Sequence, residues 1–314
     1  AWQSEHFPGS LERAGHVGMD TDWLIYRLTG RWVMDHSTAT TFHLQDQLGR
    51  SYHAPFLEML GVRPGQLSEL VCPGVAVGAV LPGVARETGL QTDTLIVAGC
   101  FDHPAAARAM GVCAPGRLMF SCGTSWVGFV PCGDREAVLD AQMLCDPFLT
   151  AGGGPWGGMF SVPCIGATID WYVRNVIAPG DAAPAQVFDA LAARSAPGAG
   201  GLRIDLREPP RVRRAGRAEI SRAVMEGAAR LLHEKMLALE GKGGKFRQAV
   251  MVGGPARSPV WPGIVAEITG LEVEAGGRDA GARGAAMLAG IGAGFYRDEQ
   301  EALAVWNRNG GKHE

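Results

Sequence analysis

LIVAGCFDHPAAARAMGVCAPGRLMFSCGTSWVGFV, residues 95–130, holds two strand–turn units in succession. Leu95–Ala98 is an apolar run whose Ile and Val suit a pleated sheet. Gly99 and Cys100 end it, and Asp102 follows at once. Pro104–Met110 then reads as a helix, with proline in the first turn and alanines behind it. A second strand begins over Arg117–Phe120 and stops at SCGTS. The pattern predicts an α/β fold with Asp102 at the rim of a sheet, where such folds place their ligands. The turn Gly123-Thr124-Ser125 offers backbone N–H groups and two hydroxyls to an anion. A carboxylate and a phosphate-sized cradle on successive strand ends point to phosphoryl transfer onto a hydroxyl. The plainer reading of Asp102 is a helix cap.

The order AG-x-x-D, small-residue helix, GTSW resembles the catalytic core of the FGGY carbohydrate kinases. The resemblance implies an actin-like/RNase H-like ATPase fold of two α/β domains, with ATP and Mg²⁺ in the cleft. It makes Asp102 the general base and Gly123, Thr124 and Ser125 a phosphate loop. DWLIYRLTGRWVMDHSTATTFHLQD, residues 22–46, resembles another stretch of that family and implies that His36 touches the sugar or polyol. His36 and Asp35 could instead pair to stabilise the turn before STATT. His103, beside Asp102, joins the implied substrate contacts. GATIDWYVR, residues 166–174, opens a helix and implies nucleotide contacts at Gly166 and Asp170. VGGPARSPVW, residues 252–261, is similar to the family's adenosine motif and implies contacts at Gly253, Gly254 and Ser258. Pro255 stands where a third glycine is usual. No residue is assigned to a metal.

Around these motifs the chain reads as follows. A helix over Met19–Leu28 is capped by Asp20 or Thr21 and closed by Gly30. A second helix covers His53–Leu60, and a short strand pair lies around Val75–Val80. Residues 130–146 read as irregular, and Gly152–Gly158 as a tight turn. In residues 201–219, six arginines at 203, 207, 211, 213, 214 and 217 crowd a proline pair. They share no helical face and interleave no aromatics, so a solvated loop is expected rather than a nucleic-acid surface. EISRAVMEGAARLLHEKMLAL at 219–239 is a helix with apolar residues at 220, 224, 228, 231 and 232. Phe246–Val252 is a strand, and the small-residue helix Gly284–Gly294 is expected to pack on a neighbouring helix of the second domain. MGVCAPG separates residues 1–112, the C-terminal portion of the family's substrate domain, from residues 113–314, its nucleotide-binding domain.

Composition bounds the rest. The chain has 314 residues, 46% of them hydrophobic, and a net charge of −3. That length predicts two domains, and the charge carries no global nucleic-acid or membrane signature. The seven cysteines are odd in number and lack C-x-x-C spacing, which argues against a disulfide framework or a zinc site and fits a reducing cytoplasm. GTSWV fails as a nucleophile elbow, because Val127 occupies the second glycine position of G-x-S-x-G. Three function classes remain in view. One is an ATP-dependent sugar or polyol kinase, for which a homodimer is compatible. The second, a hydrolase, falls with the elbow. The third is an inactive or truncated nucleotide-binding remnant or regulator, because the family's amino-terminal D-x-G-T hairpin has no match here and a partner chain would have to supply it.

Overall fold

The apolar runs at 95–97 and 117–122 become strands, each ended by a glycine or polar turn. The computed structural model describes residues 2–147, 149–211, 214–242 and 244–309; Arg213 of the arginine segment lies outside them. The chain divides into two compact units. One comprises residues 1–113, 146–156 and 281–314, the other residues 114–145 and 157–280.

In the first unit α1 (Asp20–Thr29) ends at Gly30 with φ 77°, the left-handed conformation that glycine adopts without strain. Its start differs from expectation: Met19 holds the N-cap position. The buried Asp22 carboxylate, three residues on, accepts the Met19 N–H at 2.8 Å and the Ser68 hydroxyl. β1 (Val33–Asp35) runs straight into α2 (His36–Phe42). β1 pairs in parallel with β2 (Glu69–Val71), while β3 (Ala76–Ala79) pairs antiparallel with β4 (Leu95–Val97). The expected strand pair around Val75–Val80 is therefore a single strand, whose partner comes from residues 95–97. α3 (Asp102–Ala109) follows β4, and Pro104 through Ala109 are all buried.

The second unit is built on a continuous sheet. Its elements are β5 (Arg117–Cys122), β6 (Trp126–Cys132), α4 (Arg135–Asp140), β7 (Leu144–Asp146), β8 (Trp156–Val162), α5 (Ile165–Tyr172), α6 (Pro184–Ala193), α7 (Arg217–Glu240), β9 (Gln248–Gly253), α8 (Trp261–Thr269) and β10 (Glu272–Ala275). The strand order is β10-β9-β5-β6-β8-β7. β9 is parallel to β5 and to β10, and β6 is antiparallel to β5. The stretch after Val130 is not irregular. Burial of Val138 and Cys145 orders it into α4 and β7 despite Pro131 and Gly133. Gly152–Gly154 turn between β7 and β8, and Trp156–Gly158 belong to β8 itself.

α7 buries Ile220, Val224, Ala228, Leu231 and Leu232 as its spacing requires, each large apolar side chain contributing about 1.5–3 kcal/mol. It also buries the charged pair Arg222–Glu226 at 2.9 Å, and Glu226 further accepts from Arg230 and the Gly198 N–H. Among the described residues between 202 and α7 there is no helix or strand, and Arg207 lies exposed against Asp205 and Glu234. One expectation is overturned. α9 (Ala280–Gly292), with α10 (Glu299–Asn309) behind it, packs in the first unit. Gly284 lies against the backbone carbonyl of Ala105 in α3, so close that any side chain would collide. Small residues allow that approach, and α3 supplies the surface. Among the described residues no helix is long and apolar enough to cross a membrane, and no cysteine forms a disulfide.

Candidate functional site

Side-by-side pairing of β5 and β9 brings two distant motifs together. The register sets Cys122 beside Gly253, so the turns that follow, 123–125 and 254–258, emerge from one sheet edge. Gly253 has φ 96°, and a Cβ there would strike the backbone of Cys122. Glycine is required at that contact. α5 closes in from a third direction. The Gly166 N–H donates to the Thr124 carbonyl at 2.9 Å, and a Cβ on Gly166 would lie 2.6 Å from the Gly123 oxygen and 2.7 Å from that of Thr124.

The result is a cavity of about 460 Å³ within the second unit. Gly123, Gly166, Asp170 and Gly254 of the expected nucleotide contacts line it, together with Asp189 and Arg257. Its floor is aromatic: Trp261 packs on Trp126 at 5.0 Å and on Phe188 at 6.1 Å between ring centroids. Gly254 differs from its neighbours, because a Cβ there meets nothing within 4 Å. Thr124 and Ser125 sit exposed in the β5–β6 turn, with neither hydroxyl spent on a partner among the described residues.

Four expected contacts do not line the cavity: Thr124 and Ser125 in the exposed turn, Gly253 and Ser258. Gly253 is the buttress just described. The Ser258 hydroxyl oxygen accepts the N–H groups of Val260 and Trp261, each at 3.1 Å, and so caps α8. Asp170 lines the cavity but gives both carboxylate oxygens to Arg174, at 2.8 and 2.7 Å.

In the first unit Asp102 is not the cap of α3. Phe101 holds the N-cap position, and among the described residues the Asp102 carboxylate accepts the next residue's N–H, from His103 at 2.7 Å. Its side chain is 69% exposed, which leaves oxygen lone pairs open to a ligand. His103 is half-buried with Nε2 3.9 Å from Asp102 Oδ1. Burial lowers its pKa, against the opposing pull of Asp102. His36 is buried at the first position of α2 and faces Gln45 through Nδ1 at 2.5 Å. Burial, then Arg50, hold its pKa down. Asp35 caps α2 by accepting the Thr38 N–H at 2.8 Å, so the expected Asp35–His36 pairing gives way to two separate partnerships.

Ser37 joins the two helix starts. Its hydroxyl donates to the buried Asp146 at 2.6 Å, and its oxygen accepts the Phe101 N–H at 3.2 Å. Behind them Arg108, fully buried, reaches Cys100 at 3.1 Å and Glu299 at 3.4 Å. Burial drives the Asp146 pKa up to about 7, Ser37 and Arg108 oppose the rise, and Asp35 adds to it.

A sequence profile of the N-terminal domain of the FGGY family of carbohydrate kinases matches residues 1–109, and one of its C-terminal domain matches residues 118–293. The chain belongs to the FGGY family of carbohydrate kinases. It is 27% identical over 345 residues to an autoinducer-2 kinase of Klebsiella pneumoniae, covering 98% of this chain and 63% of that protein. Xylulose kinase from Rhodospirillum rubrum superposes with a TM-score of 0.84 at 24% identity, over 96% of this chain and 64% of that one. Plasmodium falciparum glycerol kinase with ADP gives 0.77 at 16% identity, over 97% and 64%. The fold is the actin-like/RNase H-like ATPase fold of these sugar kinases, and the chain spans about 63% of the length of the curated relatives it matches.

Within this FGGY chain, sequence reading missed Ser37, Arg108, Asp146 and Asp189. Ser37 had a signal, since STATT follows a capping aspartate. Asp146 and Asp189 sit in stretches with no motif, and only the fold brings them to their partners.

Proposed function

We propose that this chain forms the greater part of an ATP-dependent kinase that phosphorylates a hydroxyl of a sugar or polyol. The observation that carries the proposal is the cavity at the ends of β5 and β9, where three separated glycine motifs converge. Glycines let a backbone approach a nucleotide closely, and the open turn 123–125 offers N–H and hydroxyl donors to its phosphates. Family membership points the same way. Xylulose and glycerol, acted on by kinases of similar fold, are both polyhydroxylated, which supports that substrate class here.

Asp102 is the base in this reading. The substrate hydroxyl gives its proton to the exposed carboxylate as its oxygen bonds to the γ-phosphorus, and the bond from that phosphorus to the bridging oxygen breaks to release ADP. The His103 N–H orients the carboxylate, and His36 meets substrate hydroxyls from the start of α2. Among the described residues no group of three or more His, Cys, Asp or Glu side chains converges. Mg²⁺ is commonly bound through one or two carboxylates and the substrate's phosphates, and there it would neutralise phosphate charge.

A second reading is a nucleotide-binding regulator that needs a partner chain for catalysis. It draws support from the first unit, whose strands among the described residues pair two by two. Both readings share the cavity, and Gly254→Val tests it. The open space around Gly254 accepts a side chain without disturbing the fold, while that side chain fills the cavity. Calorimetric titration with ADP should show binding weakened by roughly tenfold or more, about 1.4 kcal/mol per decade. Equal affinity in wild type and variant would place the nucleotide elsewhere.

A further inference from the structure

The cavity wall holds two carboxylates in different electrostatic states. Asp170 is closed off by Arg174, as described. Asp189, on α6, is half-buried and has no ion-pair partner among the described residues. An ionised carboxylate has about four lone-pair sites to satisfy. The neighbouring wall is apolar, with Ile169, Val173 and Phe188. A partly desolvated carboxylate in such a wall is costly unless a donor meets it.

We infer that Asp189 reads the nucleoside: its carboxylate accepts a hydrogen bond from an N–H or O–H of the bound nucleoside, either a ribose hydroxyl or the amino group of the base. The inference rests on the assignment of the cavity to a nucleotide and deepens it, naming the residue that discriminates. A purine or ribose lacking the donor would leave the carboxylate unpaired, and an unpaired group rejects an analogue more strongly than lost contact area does. Burial raises the Asp189 pKa, and the Ser258 hydroxyl opposes the rise.

The test is a titration of ADP, 2′-deoxy-ADP, 3′-deoxy-ADP and inosine diphosphate into wild type, Asp189→Ala and Asp189→Asn. Asparagine keeps the shape and guards against a folding artefact in the alanine variant, and thermal midpoints are measured alongside. ADP should bind Asp189→Ala at least about tenfold more weakly, the effect of a hydrogen bond to a charged group, with Asp189→Asn between. One analogue should bind wild type poorly and lose nothing further in Asp189→Ala. A deoxy analogue in that role names the ribose hydroxyl, and inosine diphosphate names the base amino group. Unchanged ADP affinity in both variants overturns the inference, as does the same fold-loss for all four ligands, while leaving the cavity assignment intact. No ADP binding by wild type overturns the cavity assignment and this inference together.

Discussion

Asp146 is a residue whose protonation the fold controls strongly. With its carboxyl held at about 7 by burial, against roughly 4 for an exposed aspartate, the folded state keeps a proton that the unfolded chain has lost. A raised pKa means that the group's contribution is fully present below about pH 4 and is lost as pH rises through about 7. Asp146→Asn removes the titration while its amide oxygen can still accept from Ser37. Urea unfolding should therefore show wild type losing about 2–3 kcal/mol relative to the variant between pH 5 and pH 8. Parallel stability curves would mean that Asp146 titrates like a surface aspartate. Its neighbours Ser37 and Phe101 link the same carboxyl to the turn that presents Asp102, so the pH that loosens Asp146 acts beside the proposed base.

Glycines at element ends have unequal roles, and the structure ranks them. Gly166 at the start of α5 touches backbone oxygens that cannot move, whereas Gly254 after β9 faces open space. Gly166→Val should therefore cost about 1–3 kcal/mol of stability, as an overpacked site does, and Gly254→Val almost none, although both should weaken ADP binding. Thermal midpoints of the two variants check this, and equal midpoints would contradict the packing described. The same elements show what the sequence could and could not reveal. β4, α3, β5, α7 and β9 were legible because periodicity and glycine or proline stops sit inside each segment. α4 and β7 were not, since Pro131 and Gly133 break the local pattern and burial against distant strands supplies the order. The destination of α9 was illegible for a related reason: a small-residue stripe signals close packing but does not name its partner, which proved to be α3. Of the proposed nucleotide contacts, Gly254 was read from its motif, while the bonds that Ser258 accepts from Val260 and Trp261 emerge only from hydrogen-bond geometry.

At the scale of the molecule, the two units differ in how their sheets are completed. The second has six strands around a buried core, and the first has only two-stranded pieces with Trp23, Leu24, Met59 and Phe295 exposed. Short strand pairs are marginal by themselves, so the first unit should open at lower urea than the second. Hydrogen exchange should show β1–β4 losing protection before β5, β6 and β9, and a single cooperative loss across both would contradict this difference. Under the proposed function, Asp102 is where phosphoryl transfer is tested most directly. Asp102→Asn preserves shape and leaves the Phe101 cap untouched, but it removes the base. The measurement is phosphorylation of a panel of sugars and polyols by the protein carrying this chain, wild type against Asp102→Asn, with ADP affinity and thermal midpoint taken alongside. Turnover should fall by about 10²–10⁴-fold while affinity and midpoint stay at wild-type values; near-equal turnover would make Asp102 a structural residue and contradict the assignment of the base.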